Sequence, residues 1–330
     1  MRDADNASER GNPREAARRF DDAAGVARLA RDRDAARHAA ARMLARAGET
    51  DEAIGRLDAI AAESPPGPEA ASAFYDAASL RLLHGDAARG WTAMEAMIHR
   101  FPGDGDARPA LHRWLAHMDD EGGPARTLEW LRANQPELDR TERAEETAYE
   151  VALRLERLRD PHARAAFLAV AERWPYPGGA LWDDALFHAS AVAEADGLPL
   201  EAAHDLARML AARERAIVVG SAERGRYAPA QLHLGELYRR LGDHAKARAT
   251  FHALFTEFPE SNLRDRGLFE EALLLQEDGD VAAACERLGQ LVREIPGSRY
   301  VPCALERCPT LHARPAGAPA TCHGYLEASR

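Results

Sequence analysis

The sequence predicts an all-α protein built from tandem helix hairpins, and two kinds of punctuation along the chain predict it. A Gly or Asp turn recurs every 37 or 38 residues with one gap of 45, and helix-ending prolines recur at a similar interval. Gly tolerates the left-handed backbone that ends a helix, whereas Pro cannot continue one. The alternation predicts repeated units of helix, turn, helix and stop. The turns lie at Gly48, Gly85, Gly122, Asp160, Gly197, Gly242 and Gly279, and the prolines at Pro65, Pro102, Pro136, Pro175, Pro259 and Pro296.

Apolar residues between these marks recur at helical spacing, which is the third observation. Residues three and four apart share one face of a helix, and no segment shows the sustained alternation expected of a strand. Asp follows several turn glycines and is suited to cap the next helix, as in Gly85-Asp86, Gly242-Asp243 and Gly279-Asp280. The clearest apolar series are Leu232, Leu234, Leu237, Tyr238 and Leu241, then Ala247, Phe251, Leu254, Phe255 and Phe258.

One segment resembles the tetratricopeptide repeat (TPR). Leu234-Gly235-x-x-Tyr238 is followed by Ala247, Phe251 and a closing Pro259, which is the family's pattern over two helices. The resemblance implies a right-handed superhelical α-solenoid of about seven TPR-like helix hairpins with capping helices. It also implies a concave groove, lined by first helices, that binds a peptide or helix of a partner protein.

The punctuation divides the chain into six segments. The best-matching TPR units are expected at 227–297, after a degenerate TPR-like array at 33–212. The full set of predicted segments is a disordered N-terminus at 1–12, an N-terminal capping helix at 13–32, the array at 33–212, an insertion or joint at 213–226, the matching units at 227–297, and a C-terminal cap with a Pro/Cys-containing tail at 298–330.

The resemblance also implies which side chains face the groove. Transferring the family's inward positions to this chain yields acidic, basic and aromatic residues that could pair with a partner's charges and seat an apolar anchor. The alternative reading is that they are ordinary solvated helix residues. The predicted groove residues are Asp184, Phe187, Glu236, Arg239, Arg240, Arg266, Phe269 and Gln276.

The composition excludes several functional classes. The chain is 46% hydrophobic and 29% charged with a net charge of -11, which suits a folded protein and disfavours a general nucleic-acid binder. No apolar stretch approaches the roughly 18 residues of a membrane span. The chain has no Gly-x-Ser-x-Gly turn, phosphate loop or dinucleotide fingerprint, so we expect no catalytic residues, cofactor or small-molecule substrate. As written, the chain is expected in the cytoplasm, or in the periplasm if an upstream signal is missing.

The four cysteines leave three alternatives open. Reduced thiols in a cap are one, and a disulfide between Cys308 and Cys322 that staples the tail to the last helix is another. The third is a metal-binding tail that joins the cysteines with His312 and His323. Cys285 lies in an Ala-rich helix and is interpreted as a small buried hydrophobe.

A narrower resemblance concerns how the last units close. Phe258-Pro259-Glu260-Ser261 and Ile295-Pro296-Gly297-Ser298 look like repeats in bacterial envelope proteins of the outer-membrane assembly lipoprotein (BamD) and Tol–Pal-associated (YbgF) types.

Because the chain combines the repeat pattern with missing catalytic motifs, the leading hypothesis is a non-catalytic protein-interaction scaffold. The alternatives are an envelope assembly or organisation factor with a disulfide-stapled tail, and a Cys/His metal-binding tail on a TPR scaffold.

Overall fold

The computed structural model describes residues 11–63, 65–213, 225–311, 316, 317, 319, 321 and 322. The regular structure of these residues consists of fifteen helices without a strand. The all-α fold class and its organisation into successive hairpins are confirmed. The chain divides into two compact units, residues 1–158 (unit 1) and 159–330 (unit 2).

Unit 1 is a series of antiparallel helices in which each helix packs against the next. Its core is formed largely by Ala, Leu and Met, and small alanines let the helices approach closely. The helices are α1 (Pro13–Val26), α2 (Ala30–Arg46), α3 (Thr50–Ala61), α4 (Ala70–Leu83), α5 (Ala87–Arg100), α6 (Ala107–Leu138) and α7 (Ala144–Arg157).

Unit 2 has the same plan and ends in a short helix. Its last core cluster joins the final hairpin to that helix through Phe269, Leu288 and Val301, each fully buried. The helices are α8 (Ala163–Arg173), α9 (Trp182–Ala195), α10 (Pro199–Ala212), α11 (Tyr227–Arg240), α12 (His244–Glu257), α13 (Arg264–Glu277), α14 (Val281–Glu294) and α15 (Val301–Arg307).

Most of the predicted turns have the expected backbone. The left-handed residue lies one position from the predicted one in two of them, at Gly123 (φ 74°) and Arg159 (φ 53°). Gly123 divides α6 into two halves that correspond to a hairpin. The helix also continues past Pro136 to Leu138, so the expectation that Pro136 ends it is wrong. Positive φ occurs as predicted at Gly48, Gly85, Gly197, Gly242 and Gly279.

Aspartate caps begin two of the second helices. The Asp243 carboxylate accepts a hydrogen bond from the Lys246 amide at 3.1 Å, and Asp280 accepts one from Ala283 at 3.0 Å. Each bond satisfies an amide that the first turn of a helix leaves without a backbone partner. The third predicted cap, Asp86, makes no such side-chain bond.

The Leu-Gly step of the repeat has a packing reason. A Cβ at Gly235 in α11 would collide with the ring of Phe251 in α12, which is fully buried. Glycine therefore allows the aromatic side chain of the second helix to lie directly against the first helix. This contact makes the best-matching unit a tightly packed hairpin.

The boundary of the two units lies away from the predicted insertion. Residues 214–224 of the 213–226 segment lie outside the described residues, and α10 on one side packs directly against α11 on the other. The division between the two units falls between Leu158 and Arg159. The predicted disordered segment 1–12 lies outside the described residues except for Gly11 and Asn12.

Among the helices described, none combines the length and the apolar character that a membrane span requires.

Candidate protein-interaction face

The first helices of successive hairpins are connected by polar side chains about one repeat apart in sequence. In unit 1 these helices are α2, α4, the first half of α6, and α7; in unit 2 they are α9, α11 and α13. We call the polar surface they share within each unit the first-helix face. Its main members are His38, Asp76, Arg113, Asp119, Glu146 and Arg154 in unit 1, and Glu194, His233, Glu236, Arg239, Arg266 and Glu270 in unit 2.

A histidine clamp connects the first two hairpins of unit 1. His38 Nδ1 lies 2.8 Å from a Glu69 oxygen and Nε2 lies 3.0 Å from Asp76. Burial lowers the pKa of His38, but the hydrogen bonds and charges of Asp76 and Glu69 outweigh burial and raise it above its ordinary value. The clamp is therefore strongest when the imidazole is protonated.

Glu146 contacts three cationic or donor groups where α7 packs against the first half of α6. Its carboxylate lies 2.6 Å from His112 Nε2 and accepts hydrogen bonds from Arg108 at 2.8 Å and Arg143 at 3.1 Å. Burial raises the pKa of Glu146, but His112 and the two guanidinium groups outweigh this and hold it below its usual range. The buried carboxylate stays ionised because its partners surround it.

A cavity of about 350 Å³ opens between the first half of α6 and α7. Within its lining, Asp119 accepts hydrogen bonds from Arg154 at 3.0 Å and Arg157 at 2.6 Å, and Arg154 also binds Glu150. Arg154 is only 4% exposed, and its burial lowers the pKa of its guanidinium despite the nearby Asp119 charge. The lining residues are His112, Leu115, Ala116, Asp119, Asp120, Glu150, Leu153, Arg154 and Arg157.

The rim of this unit-1 cavity is open to solvent. His112, Ala116 and Asp120 are exposed there, and no hydrogen bond or ion pair connects Asp120 to another described residue. The cavity thus combines fixed charges, one exposed carboxylate, and apolar wall atoms from Leu115 and Leu153. This combination of an apolar surface with oriented polar groups suits a side chain of a peptide.

Unit 2 engages most of the predicted groove residues in contacts within the protein. Glu236 accepts a hydrogen bond from Arg266 at 2.7 Å, Arg239 binds Glu270 and Glu277, and Arg240 binds Glu194. Burial raises the pKa of Glu270, although Arg266 and Arg239 act in the opposite direction. The charged groups that were predicted to contact a partner therefore form ion pairs between α11 and its neighbours α9 and α13.

Other predicted groove residues also have partners inside unit 2. Asp184 pairs with Arg226 at 2.6 Å, and the Arg226 guanidinium lies 5.2 Å from the ring centre of the half-buried Phe187. Gln276 accepts a hydrogen bond from Arg307 at 3.0 Å. These contacts connect α9 to the residue before α11, and α13 to α15.

Phe269 corrects one groove prediction. Its side chain is fully buried, and its ring stacks on Tyr300 with 4.7 Å between the centroids. Phe269 belongs to the apolar cluster that joins α13 and α14 to α15, which places its ring beneath the C-terminal cap. Phe269 is therefore a core residue and cannot present its ring to a partner without opening the cap.

Sequence reasoning missed the unit-1 cavity because residues 103–140 depart most from the repeat pattern. A signal was nevertheless present in the spacing of opposite charges. Asp119 and Arg154 are 35 positions apart, and Arg108 and Glu146 are 38 positions apart. Opposite charges about one repeat apart on first helices lie close together when hairpins stack.

The cysteines form two disulfides in a different pairing from the one predicted. Cys285 binds Cys308 and Cys303 binds Cys322, so the predicted Cys308–Cys322 bridge is wrong. Cys308, at the end of α15, faces α14, and this brings it to Cys285 with a Cα separation of 5.5 Å. The interpretation of Cys285 as a plain buried hydrophobe is also wrong, since it is half-buried and cross-linked.

The disulfides also bear on the metal-binding alternative. A thiolate is the metal ligand, and all four cysteines are disulfide-bonded. Among the residues described, no group of three or more His, Cys, Asp or Glu could hold an ion. His312 and His323, which the alternative required, lie outside the described residues.

Three tryptophans pack between the second and third hairpins of unit 1. Trp91 stacks on His117 at 4.0 Å between centroids, and Trp114 meets Trp130 edge to face at 6.2 Å. Trp130 donates a hydrogen bond to Glu95 at 2.7 Å. The cluster is half-buried and joins hairpins, as expected from packing.

A tetratricopeptide repeat family model matches residues 229–261. The match spans α11, α12 and the closing Pro259, so the resemblance seen in the sequence is confirmed for this unit. A search of curated proteins finds no significant match.

Solved structures match over most of this chain at low sequence identity. PilF of Pseudomonas aeruginosa is 19% identical, with 70% of this chain and 94% of PilF covered and a TM-score of 0.40. The C-terminal part of a TPR repeat-containing protein from Cytophaga hutchinsonii is 14% identical, with 81% and 98% covered and a TM-score of 0.48. A tetratricopeptide repeat protein from Parabacteroides merdae is 13% identical, with 81% and 95% covered and a TM-score of 0.36.

Proposed function

We propose that this tetratricopeptide repeat chain is a protein-interaction scaffold that binds a segment of a partner protein at the unit-1 cavity. Proteins built from this repeat typically bind protein partners and are generally non-catalytic. The observation that carries the proposal is the cavity between α6 and α7, where apolar walls meet an exposed carboxylate above a layer of paired charges.

The paired charges support binding because they are already oriented. Arg154 and Arg157 both hold Asp119, so these lining side chains need little rearrangement when a partner arrives. The exposed Asp120 adds an acceptor at the rim that could discriminate among partners. The proposal extends to unit 2 through the residues predicted to line the groove there. These residues are Asp184, Phe187, Glu236, Arg239, Arg240, Arg266 and Gln276.

The test obstructs the cavity with a substitution at an exposed position outside the core. Ala116 is exposed on the rim and lies on a helix, so Ala116→Arg should fold normally and obstruct the site. A photo-crosslinking amino acid at position 116 of the otherwise unchanged chain should capture a specific protein in cells that express this chain. Once that protein is identified, affinity pull-down with chains that lack the crosslinker compares variants, and we expect Ala116→Arg to lower its recovery at least tenfold.

The matched control is Ala125→Arg, which places the same side chain on an exposed position in the second half of the same helix. It should leave recovery unchanged. Recovery of the captured protein by Ala116→Arg at the level of Ala125→Arg would refute the cavity as the binding site. No specific crosslink from position 116 would refute the proposal altogether.

A role as a cell-envelope assembly or organisation factor is a second candidate, and the two disulfides favour it. Disulfides persist in oxidising compartments such as the bacterial periplasm and are rare in the cytosol. Fractionation of the source cells tests this candidate. Recovery of the native protein in the cytosolic fraction would exclude it and leave the scaffold proposal intact.

A further inference from the structure

The C-terminal end of the array is covered by a small element. After the hairpin of α13 and α14 come the seven-residue α15 and a tail whose described residues contain no helix or strand. Tyr300, Val301 and Ala304 are buried against Phe269 and Leu288 of that hairpin. These residues take the place of the next hairpin in a longer array.

The tail lies over the second helix of the same hairpin. Leu311 packs on α14, with its Cδ2 3.3 Å from the position that a Cβ at Gly289 would occupy. Cys322, further along the tail, packs on the same apolar cluster. These two described residues of the tail therefore extend the cap over the last hairpin.

Two disulfides in series attach this cap to the last hairpin. Cys285–Cys308 joins α14 to the end of α15, and Cys303–Cys322 joins α15 to the tail, with Cα separations of 5.5 and 4.7 Å. In each bridge one sulfur belongs to a buried residue, Cys308 or Cys303, and the other to a half-buried residue, Cys285 or Cys322.

Packing and cross-links both act on this cap. Tyr300, Val301 and Ala304 are buried against the last hairpin, but a helix of seven residues is too short to be stable in isolation, and an irregular segment loses conformational entropy when it is fixed. The cross-links close loops with sequence separations of 23 and 19 residues, which limits the conformations of the released state. The docked cap therefore depends on the disulfides as well as on these buried contacts.

We propose that the two disulfides form a redox-controlled clasp at the end of the array. With the disulfides formed, the clasp holds α15, together with Leu311 and Cys322, against the apolar cluster of Phe269 and Leu288. With both reduced, the cap releases and uncovers this terminal apolar face. The inference concerns the end of unit 2 and stands whether or not the unit-1 cavity binds a partner.

The chemistry is thiol–disulfide exchange. A dithiol reductant attacks the more accessible sulfur of a bridge, and the buried sulfur leaves as a thiolate that takes up a proton. The reductant's second thiol resolves the mixed disulfide, so each bridge gains two electrons and two protons while the reductant becomes a disulfide. A disulfide oxidant reverses both steps, so the clasp closes in an oxidising compartment and opens in a reducing one.

The test compares amide hydrogen exchange of the full chain in oxidised and dithiothreitol-reduced forms. Non-reducing peptide mapping first checks the pairs Cys285–Cys308 and Cys303–Cys322. Reduction should speed exchange over 301–308 by about 100-fold, the fold-change that corresponds to cross-links of this length. Exchange in α1 of unit 1 should not change, and reoxidation with glutathione disulfide should restore protection.

Two double variants separate the bridges. Cys303→Ser with Cys322→Ser should free the tail and leave α15 partly protected, whereas Cys285→Ser with Cys308→Ser should release α15. Unchanged exchange over 301–308 after full reduction would overturn the proposal. Four free thiols in protein equilibrated with glutathione disulfide would overturn it as well.

Discussion

The two ends of the array are capped by different means. At the N-terminal end, α1 is a 14-residue helix whose Ala16, Ala17 and Phe20 are buried against α2. At the C-terminal end, α15 has seven residues and is cross-linked on both sides. Both elements cover an apolar face that a neighbouring hairpin would otherwise cover.

The two caps differ in attachment and not in the number of their buried residues. Each of α1 and α15 has four buried residues, and hydrophobic stabilisation scales with buried area. Because α15 is half as long as α1, the chain adds two cross-links to its buried contacts. The two ends should therefore respond to different perturbations: the N-terminal cap to loss of packing, and the C-terminal cap to reductant.

The largest expected effect is at the N-terminal cap. Phe20 is 5% exposed, and Phe20→Ala should destabilise the docked α1 by about 3 kcal/mol, since it removes a buried ring and leaves a cavity. Amide hydrogen exchange of 13–26 would measure the loss. The change should be the same with and without dithiothreitol, and a dependence on reductant would contradict the contrast between the ends.

Helix caps provide a smaller and matched comparison. The Asn12 side chain accepts a hydrogen bond from the Glu15 amide at 3.2 Å in α1, as Asp280 does from Ala283 in α14. Replacement of either cap by Ala should cost about 1 kcal/mol. We expect Asn12→Ala to loosen all of α1, whereas Asp280→Ala should affect only the first turn of α14 because Cys285 and the last hairpin hold the rest.

Hydrogen exchange of 13–26 and 281–294 distinguishes these outcomes. Asp280→Asn is the control, because an Asn side chain also caps a helix. If the loss of amide protection extended equally far along α1 and α14, the covalent attachment would add nothing to local stability.

The smallest expected effect is a pH dependence at the N-terminal end. The pKa of His38 is raised by Asp76 and Glu69 against the effect of burial, while Arg42 lies 3.6 Å from the same Asp76 carboxylate. The stabilisation is therefore fully present below the ordinary histidine pKa, near 6.5, and is lost as pH rises through the higher pKa of the folded state.

Urea unfolding monitored between pH 6 and pH 9 tests this sign. Stability of the first two hairpins should fall with rising pH in the unchanged protein, and His38→Gln should flatten this part of the profile. A pH dependence confined to 301–308 would contradict the assignment.

Local sequence rules predicted the hairpins well. The left-handed glycines, the Asp caps at Asp243 and Asp280, and the Gly235–Phe251 contact all depend on residues near one another in the chain. The errors at Pro136 and at the turn near Asp160 are shifts of one or two residues. These errors arose where the repeat pattern is weakest. At the turn near Asp160, the neighbouring Arg159 adopts the left-handed backbone.

Contacts between hairpins were predicted less well. Phe269 was expected in a groove and is a core residue, because its surroundings depend on the cap that covers the last hairpin. The pairing of Cys308 was wrong for a similar reason: four cysteines allow three pairings, and sequence cannot choose among them. The unit-1 cavity depends on the distance between α6 and α7, which no local pattern reveals.

The sequence by itself determined that this protein is a series of helix hairpins, because turn, cap and periodicity act over a few residues. Tertiary structure alone decided which first-helix charges neutralise each other, which cysteines pair and where a cavity remains. Those outcomes depend on how whole helices stack, since side chains about one repeat apart meet only after the hairpins have packed.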